Sequence, residues 1–327
     1  MEERRIRWGV LGCAGIARKA MIPAILRAGN AKLYAIASRK GAKLAEFSEL
    51  FHPEVGYSSY EELLSDPDVD AVYIPVPNSE HARWVIKACE AGKPVLCEKP
   101  LAMNRSEVIM IREASEKYGV PVMEAFAYLH GPMMKKIREI VSSGTIGKIR
   151  YMEANFSFWL DDLTNVRLIG PLGGGAAYDL GCYPVSFFRE VTGEEPERIV
   201  TFKEMGKDSK VDETVLSMME FPSGAKACTY FSFQSNWCTR NLILGEKGQI
   251  DIPSIFDRGA EKEMFLTIGR PPESRTEKFI IDCSDNYVLQ VEQMGRVAAG
   301  LEKPAITLDW SEGNAIVLDE WLKQEEG

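Results

Sequence analysis

The sequence predicts an α/β protein in two parts. An N-terminal domain with a parallel sheet is expected over residues 1–124, and a C-terminal α/β domain with a large, mostly antiparallel sheet over 125–327. Two observations carry this division. The first third alternates short β-branched runs with amphipathic stretches of helical length, the rhythm of βαβ units. Past about residue 125 the apolar runs lengthen and read as one strand after another.

In order, "IRWGVLG" is a strand and "IARKAMIPAILRAG" a helix that accommodates Pro23 near its start. "KLYAIAS" is the second strand and "KGAKLAEFSELF" the second helix. "VDAVYIPVP" is a strand that ends in two prolines, and "SEHARWVIKACEAG" a helix stopped by Gly92. "PVLCEKP" runs from a strand into a proline turn, "RSEVIMIREASEKYG" is a helix and "VPVMEAF" a strand. Strands this uniformly apolar fit a sheet covered on both faces. The second part holds "KIRYMEANFSFWL", "RIVTFKEM", "VDETVLSMMEFPSGAKACTYFSFQ" and "RNLILGEKGQIDI", with "FPSGAK" as a hairpin turn. Two helices close the chain, "NYVLQVEQMGRVAAG" and "SEGNAIVLDEWLKQ", and a hinge is expected near residues 121 to 130.

Composition narrows the function. The 327 residues suit roughly two domains. A net charge of −9 without a basic stripe argues against nucleic acid as a partner. No apolar run has the length of a membrane span, and the start "MEERRIRWGV" lacks a signal peptide's apolar core, so a cytoplasmic protein is expected. Seven cysteines without a C-x-x-C read as reduced thiols, and three scattered histidines make no metal site.

Chemistry enters at "GVLGCAGIARKA". From Gly12 the pattern is G-x-A-x-x-A, with Cys13, Ala14, Gly15, Ile16 and Ala17 forming the turn between the first strand and the first helix. Gly12 permits the sharp turn, Ala14 the approach of a pyrophosphate, and Ala17 close helix–strand packing. The N–H groups of the helix start would face the phosphates. At the end of the second strand, where NAD sites carry an acid, stand Ser38, Arg39 and Lys40. A guanidinium and an ammonium suit a 2′-phosphate, so NADP is favoured over NAD. Cations at a helix N-terminus also oppose its dipole, which argues against an incidental charge cluster.

At "CEKPLAM" the likeness becomes specific. With "GCAGIA", "SR" at 38 and 39, "PVPNSEH" from 75 to 81, "EKPLA" from 98, "NVR" from 165 and "GGGAAYDLGCYPV" from 173, the chain resembles the Gfo/Idh/MocA oxidoreductases along nearly its full length. The resemblance implies an N-terminal Rossmann domain. It also implies a C-terminal α/β domain whose open sheet forms a homodimer or homotetramer interface. It places Lys99 at the reacting oxygen, Pro75, Asn78, His81 and Glu98 with Lys99 on the cofactor side, and Arg167 near the nicotinamide or substrate mouth. Many relatives have a histidine at the end of D-x-G-x-H, where this chain has Tyr183. That departure points to the branch resembling glucose-fructose oxidoreductase, NADP-dependent D-xylose dehydrogenase, dimeric dihydrodiol dehydrogenase and sugar ketoreductases, in which a tyrosine is the acid/base.

Hydride exchange at a carbinol carbon needs a proton donor or acceptor at the oxygen and a charge to steady it. Tyr183 is assigned the proton, Lys99 the steadying charge, and Asp179, one helical turn before Tyr183, a hydrogen bond to the substrate or Lys99. A tyrosine ordinarily ionises near pH 10, and a neighbouring cation favours the phenolate. The glycines at 173–175 are read as letting the backbone pass close to nicotinamide and substrate. Phe158 and Trp159 are possible walls for a sugar face. The expected activity is NADP(H)-dependent oxidoreduction at a secondary alcohol, ketone or anomeric carbon of a sugar or polyol-like substrate. The alternatives are a trans-dihydrodiol or dicarbonyl substrate, or a non-catalytic NADP-binding regulator.

Overall fold

The computed structural model describes residues 5–256 and 260–323. The chain divides into two compact units, Met1–Ala127 with Asp285–Ala315, and Tyr128–Ser284 with Ile316–Gly327.

The first unit is built on six strands: β1 (Ile6–Leu11), β2 (Ala31–Ala37), β3 (Val55–Tyr57), β4 (Ala71–Ile74), β5 (Val95–Glu98) and β6 (Val122–Ala125). They lie in the order β3-β2-β1-β4-β5-β6, and every neighbouring pair is parallel. The connections are α1 (Ile22–Arg27), α2 (Gly41–Phe51), α3 (Tyr60–Ser65), α4 (His81–Glu90) and α5 (Arg105–Tyr118). Strands β4 and β6 are buried at every residue, as the unbroken apolar runs require of a sheet covered on both faces. On one face, Trp84, Val85 and Ala88 of α4 and Val108 and Ile111 of α5 close the core over Val72, Ile74, Val95 and Cys97. Each fully buried aliphatic side chain there stabilises the fold by roughly 1.5–3 kcal/mol.

The segment Asp285–Ala315 packs with this unit, although the sequence reading places it after residue 125 with the second domain. Its helix α8 (Asn286–Ala298) buries Val288, Val291, Met294 and Val297 and meets α1. The Asn30 side-chain amide donates to the Glu292 carbonyl at 2.8 Å, and Asp285 accepts from Arg27 at 2.9 Å. Spacing along α8 reveals an apolar face but carries no information about which sheet receives it.

The second unit carries an eight-stranded sheet, β7 (Ile149–Ser157), β8 (Arg198–Met205), β9 (Asp212–Glu220), β10 (Lys226–Ser232), β11 (Asn241–Gly245), β12 (Gly248–Ile252), β13 (Glu261–Ile268) and β14 (Arg275–Asp282). The order is β14-β13-β12-β11-β7-β10-β9-β8, antiparallel throughout except for the parallel pair β7 and β10. Helices α6 (Pro132–Ser142) and α7 (Cys182–Thr192) belong here. The division between units falls within α9 (Leu308–Lys323), whose Trp321 donates to Ser217 Oγ at 2.9 Å. Along β9 Val215, Ser217 and Met219 are buried while Leu216 and Met218 are exposed, the alternation of a sheet with one open face.

Two helices begin differently from the plain α-helices expected. Ala17–Met21 and Ala177–Gly181 are single π turns that lead into α1 and α7. Each precedes a proline, Pro23 or Pro184, whose ring clashes with the carbonyl four residues earlier and has no N–H to offer it. The wider π turn relieves that conflict. Among the described residues no helix is long and apolar enough to cross a membrane, and no group of three His, Cys, Asp or Glu could hold a metal ion.

Candidate functional site

In the first unit the site residues gather at the carboxyl ends of β1, β2, β4 and β5, around the point where strand order reverses. Gly12 leaves β1 with φ 127°, a conformation that favours glycine, and faces the Tyr60 hydroxyl. Ala17 is fully buried beneath the loop, while Cys13, Ala14 and Ile16 are half-buried and Gly15 is exposed. The helix start after this loop has neither a side-chain cap nor an acid in its first turn. Its N–H groups are therefore available to an anion.

Ser38, Arg39 and Lys40 flank the same loop. The Ser38 hydroxyl is buried, accepts the Lys40 N–H at 3.2 Å and also reaches the Cys13 thiol, whose pKa burial pushes up. The exposed Arg39 guanidinium lies 5.2 Å over the ring of Tyr60. Tyr60 is itself locked edge-on against Trp84 at 4.8 Å. Burial raises the Tyr60 phenol's pKa and the Arg39 cation opposes that. Lys40 stands at the N-terminus of α2, which has no side-chain cap and no acid in its first turn. A cationic, uncapped helix start beside a phosphate-type loop fits a dinucleotide with an added phosphate. Sequence reading missed Tyr60, which lies near no motif along the chain, and Trp84, which follows "PNSEH" by three residues but reads as the apolar face of a helix.

Lys99 is half-buried in the turn after β5, and its neighbours are tied down. Tyr73 donates to Glu98 Oε1 at 2.6 Å, and burial pushes that phenol's pKa well up, which keeps it a donor. The Leu101 N–H donates to buried Glu124 at 2.9 Å. His81 Nδ1 lies 2.7 Å from the Pro100 carbonyl and Nε2 lies 2.9 Å from the Val76 carbonyl. The His81 ring is fully buried, so the structure corrects its expected cofactor contact. It joins the end of β4 to the Lys-Pro turn instead. Burial, with Lys99 adding to it, depresses its pKa to about 4 against the pull of the two carbonyls. Pro75 is buried in the same connection, and Asn78 is half-buried in a short 3-10 turn.

In the second unit Arg167, Asp179 and Tyr183 come together. Arg167 Nε donates to Asp179 Oδ2 at 2.6 Å, and that carboxylate raises the pKa of the guanidinium, with Tyr183 adding to the effect. Asp179 thus spends one oxygen on Arg167. The Tyr183 ring rests on Phe256 at 5.4 Å, Phe156 at 5.5 Å and Tyr128 at 6.0 Å. Tyr128 and Ser186 share a 2.6 Å hydrogen bond, and Ser186 donates to the Tyr183 carbonyl at 2.7 Å, which holds the first turn of α7. Phe158 packs on Phe233 at 5.4 Å, whereas Trp159 is exposed.

Two of the three glycines, Gly174 and Gly175, serve the chain's own packing. A Cβ on Gly174 would come within 2.7 Å of the Arg167 carbonyl. Gly175 has φ 128°, and a Cβ there would overlap the Asp212 carboxylate. Asp212 in turn accepts the Ala177 N–H at 2.6 Å, under the helix start that leads to Asp179 and Tyr183. Burial pushes Asp212 up to about 7.

Comparison with known proteins agrees with this layout. The oxidoreductase family model with an NAD-binding Rossmann fold matches residues 6–126, and the GFO/IDH/MocA C-terminal domain model matches residues 134–251. The chain belongs to the GFO/IDH/MocA oxidoreductase family. Among curated members of that family it is 35% identical over 91% of both chains to D-xylose 1-dehydrogenase (NADP(+)) 2 of Haloferax volcanii. It is 30% identical to trans-1,2-dihydrobenzene-1,2-diol dehydrogenase of Xenopus laevis over 97% of both chains. Among solved structures, KijD10, a 3-ketoreductase from Actinomadura kijaniata in complex with NADP and TDP-benzene, superposes with a TM-score of 0.90 at 28% identity. That match covers 97% of this chain and 96% of the other. The same ketoreductase has also been solved with its tyrosine replaced by phenylalanine and with its lysine replaced by alanine.

The two buried titrating groups act on stability with opposite signs. His81 falls from the ordinary 6.5 to about 4, so the unfolded chain takes up the proton first and its stabilisation is lost as pH drops through that window. Asp212 rises from 3.8 to about 7, so its stabilisation is present at low pH and lost as pH climbs to about 7. Urea unfolding across pH 4–7 is expected to show His81→Asn and Asp212→Asn diverging from wild type with slopes of opposite sign, each by a few kcal/mol. Curves parallel to wild type would contradict both assignments.

Proposed function

We propose that this oxidoreductase uses NADP(H) to move a hydride to or from a secondary alcohol, ketone or anomeric carbon of a sugar or polyol-like substrate. The observation that carries the proposal is the Tyr183 phenol, half-exposed on an aromatic floor beside the Arg167–Asp179 pair. The tyrosine and lysine replaced in the two KijD10 mutants stand the same number of residues apart as Lys99 and Tyr183. NADP(H), when bound, supplies or accepts the hydride. The loop Gly12–Ala17 would hold the pyrophosphate, and Arg39, oriented by Tyr60, the 2′-phosphate.

Tyr183 gives a proton to the carbonyl oxygen in reduction and takes it back in oxidation. Lys99 steadies the charge that develops on that oxygen. Asp179 acts by orienting Arg167, and Arg167 contributes a cation near the phenol. A trans-dihydrodiol substrate is the second reading, favoured by the rings of Phe156 and Phe256 that pack against Tyr183. A cytoplasmic setting belongs to the same proposal and is supported by the free thiols of Cys13, Cys89, Cys97, Cys228 and Cys238.

Homo-oligomerisation through the eight-stranded sheet is also proposed. Val200 pairs with Met218 and Phe202 with Leu216, which makes one exposed apolar patch on its open face. Sedimentation is expected to show a dimer or larger, and Phe202→Glu a smaller species. A monomeric wild type would refute this.

Activity is checked by following NADPH absorbance with a panel of keto-sugars, dicarbonyls and, in reverse, trans-dihydrodiols. Tyr183→Phe is expected to lower kcat by roughly a hundredfold or more with NADPH affinity unchanged. Arg39→Ala is expected to weaken NADPH about tenfold while leaving NADH unaffected. Tight NADPH binding with no turnover on any substrate would instead indicate a regulator.

A further inference from the structure

The buried carboxylate beneath the Tyr183 helix is used by no step above. Asp212 is 2% exposed at the start of β9, yet its side chain leaves the sheet and meets the chain at 175–177. It accepts the Ala177 N–H at 2.6 Å, with the Ala176 N–H also directed at it. Gly175 has no side chain at the one place where a Cβ would strike this carboxylate. The helix start itself offers no side-chain cap of its own. The charged group acting on Asp212 is Lys203 of β8, whose ammonium bonds the Leu322 carbonyl at 3.2 Å. Its neighbour Glu213 turns instead to Ser209, at 2.7 Å.

We infer that Asp212 is a positioning residue for the reaction. It caps from outside the helix a start that cannot cap itself, and so holds Asp179 and Tyr183 in one orientation. A helix start without a cap frays through its first turn. Here that turn is the π turn Ala177–Gly181, which contains Asp179 and ends two residues before Tyr183. Loss of the acceptor would therefore loosen the proton-transferring group while leaving the nucleotide loop of the other unit untouched. The inference rests on the role proposed for Tyr183.

The test compares Asp212→Ala, which removes the acceptor, with Asp212→Asn, which keeps one. Ile250→Val, a core change in the same sheet, serves as the control for simple destabilisation. Asp212→Ala is expected to lower kcat roughly ten- to a hundredfold with KM for NADPH unchanged. Asp212→Asn is expected to recover most of it, and Ile250→Val to keep wild-type kcat. Amide hydrogen exchange over residues 176–183, measured without substrate, should rise in Asp212→Ala above the change in the rest of the unit. Should Asp212→Ala fail to fold, Asp212→Asn carries the test through its smaller rise in exchange over the same residues. Exchange in 176–183 equal to that elsewhere, or wild-type kcat in a folded Asp212→Ala, overturns the inference. A wild type that binds NADPH but turns over nothing defeats the catalytic reading separately, and the exchange data still decide whether Asp212 holds the helix.

Discussion

Six strands that all pair in parallel must all end at one edge of their sheet. In the order β3-β2-β1-β4-β5-β6, the connections leaving β1 and β4 run to opposite sides, and the loops after β1, β2, β4 and β5 are left facing one region. Everything the first unit brings to chemistry hangs on those loops. The uncapped helix start after Gly12, the cations after β2 and the Lys99 turn after β5 are three local structures with little regular bonding of their own. They are held from behind, Arg39 by the Tyr60 ring, the Cys13 loop by Ser38, and the Lys99 turn by His81 and Glu124. These supports are buried, and the groups they hold are half-buried or exposed. That arrangement lets a rigid scaffold present reactive groups without lending them its own packing.

The second unit solves a different problem, because Tyr183, the proposed proton donor, sits on a helix that begins badly. Three glycines precede it, a proline follows Tyr183 directly, and its first turn is widened to a π turn. Each defect has a compensating contact. Gly174 fits against the backbone of Arg167 and Ile169, Gly175 admits Asp212, and Arg167 engages Asp179 from the preceding segment. The aromatic floor of Tyr128, Phe156 and Phe256 then limits where the Tyr183 ring can go.

Much of this was legible along the chain. Alternation of apolar strands and amphipathic helices gave the parallel sheet, and "FPSGAK" gave the β9–β10 hairpin. The motif residues Gly12, Ser38, Arg39 and Lys99 sit where strand ends require. What stayed hidden depends on contacts distant in sequence. Nothing in "VDETV" marks Asp212 as a cap for residues 35 positions earlier, and nothing in "YEELL" marks Tyr60 as a platform for Arg39. The resemblance around "PNSEH" implied a cofactor-side place for His81, whereas the ring is fully buried with both nitrogens facing backbone carbonyls. The glycines at 173–175 were read as clearance for a cofactor, but the atoms that Gly174 and Gly175 clear belong to the protein. The placing of α8 depended on which sheet had an uncovered face, a property no single segment encodes.

The proposed mechanism has Lys99 and Tyr183 serve the same reacting oxygen. A double-mutant cycle on kcat measures this directly, with Lys99→Met, Tyr183→Phe and the pair assayed on whichever substrate the wild type reduces. Two groups acting on one oxygen in one transition state are strongly non-additive. The account predicts that the double variant is scarcely slower than the worse single variant. A double variant slowed by the full product of the two single losses would show that the residues act independently, and would contradict it.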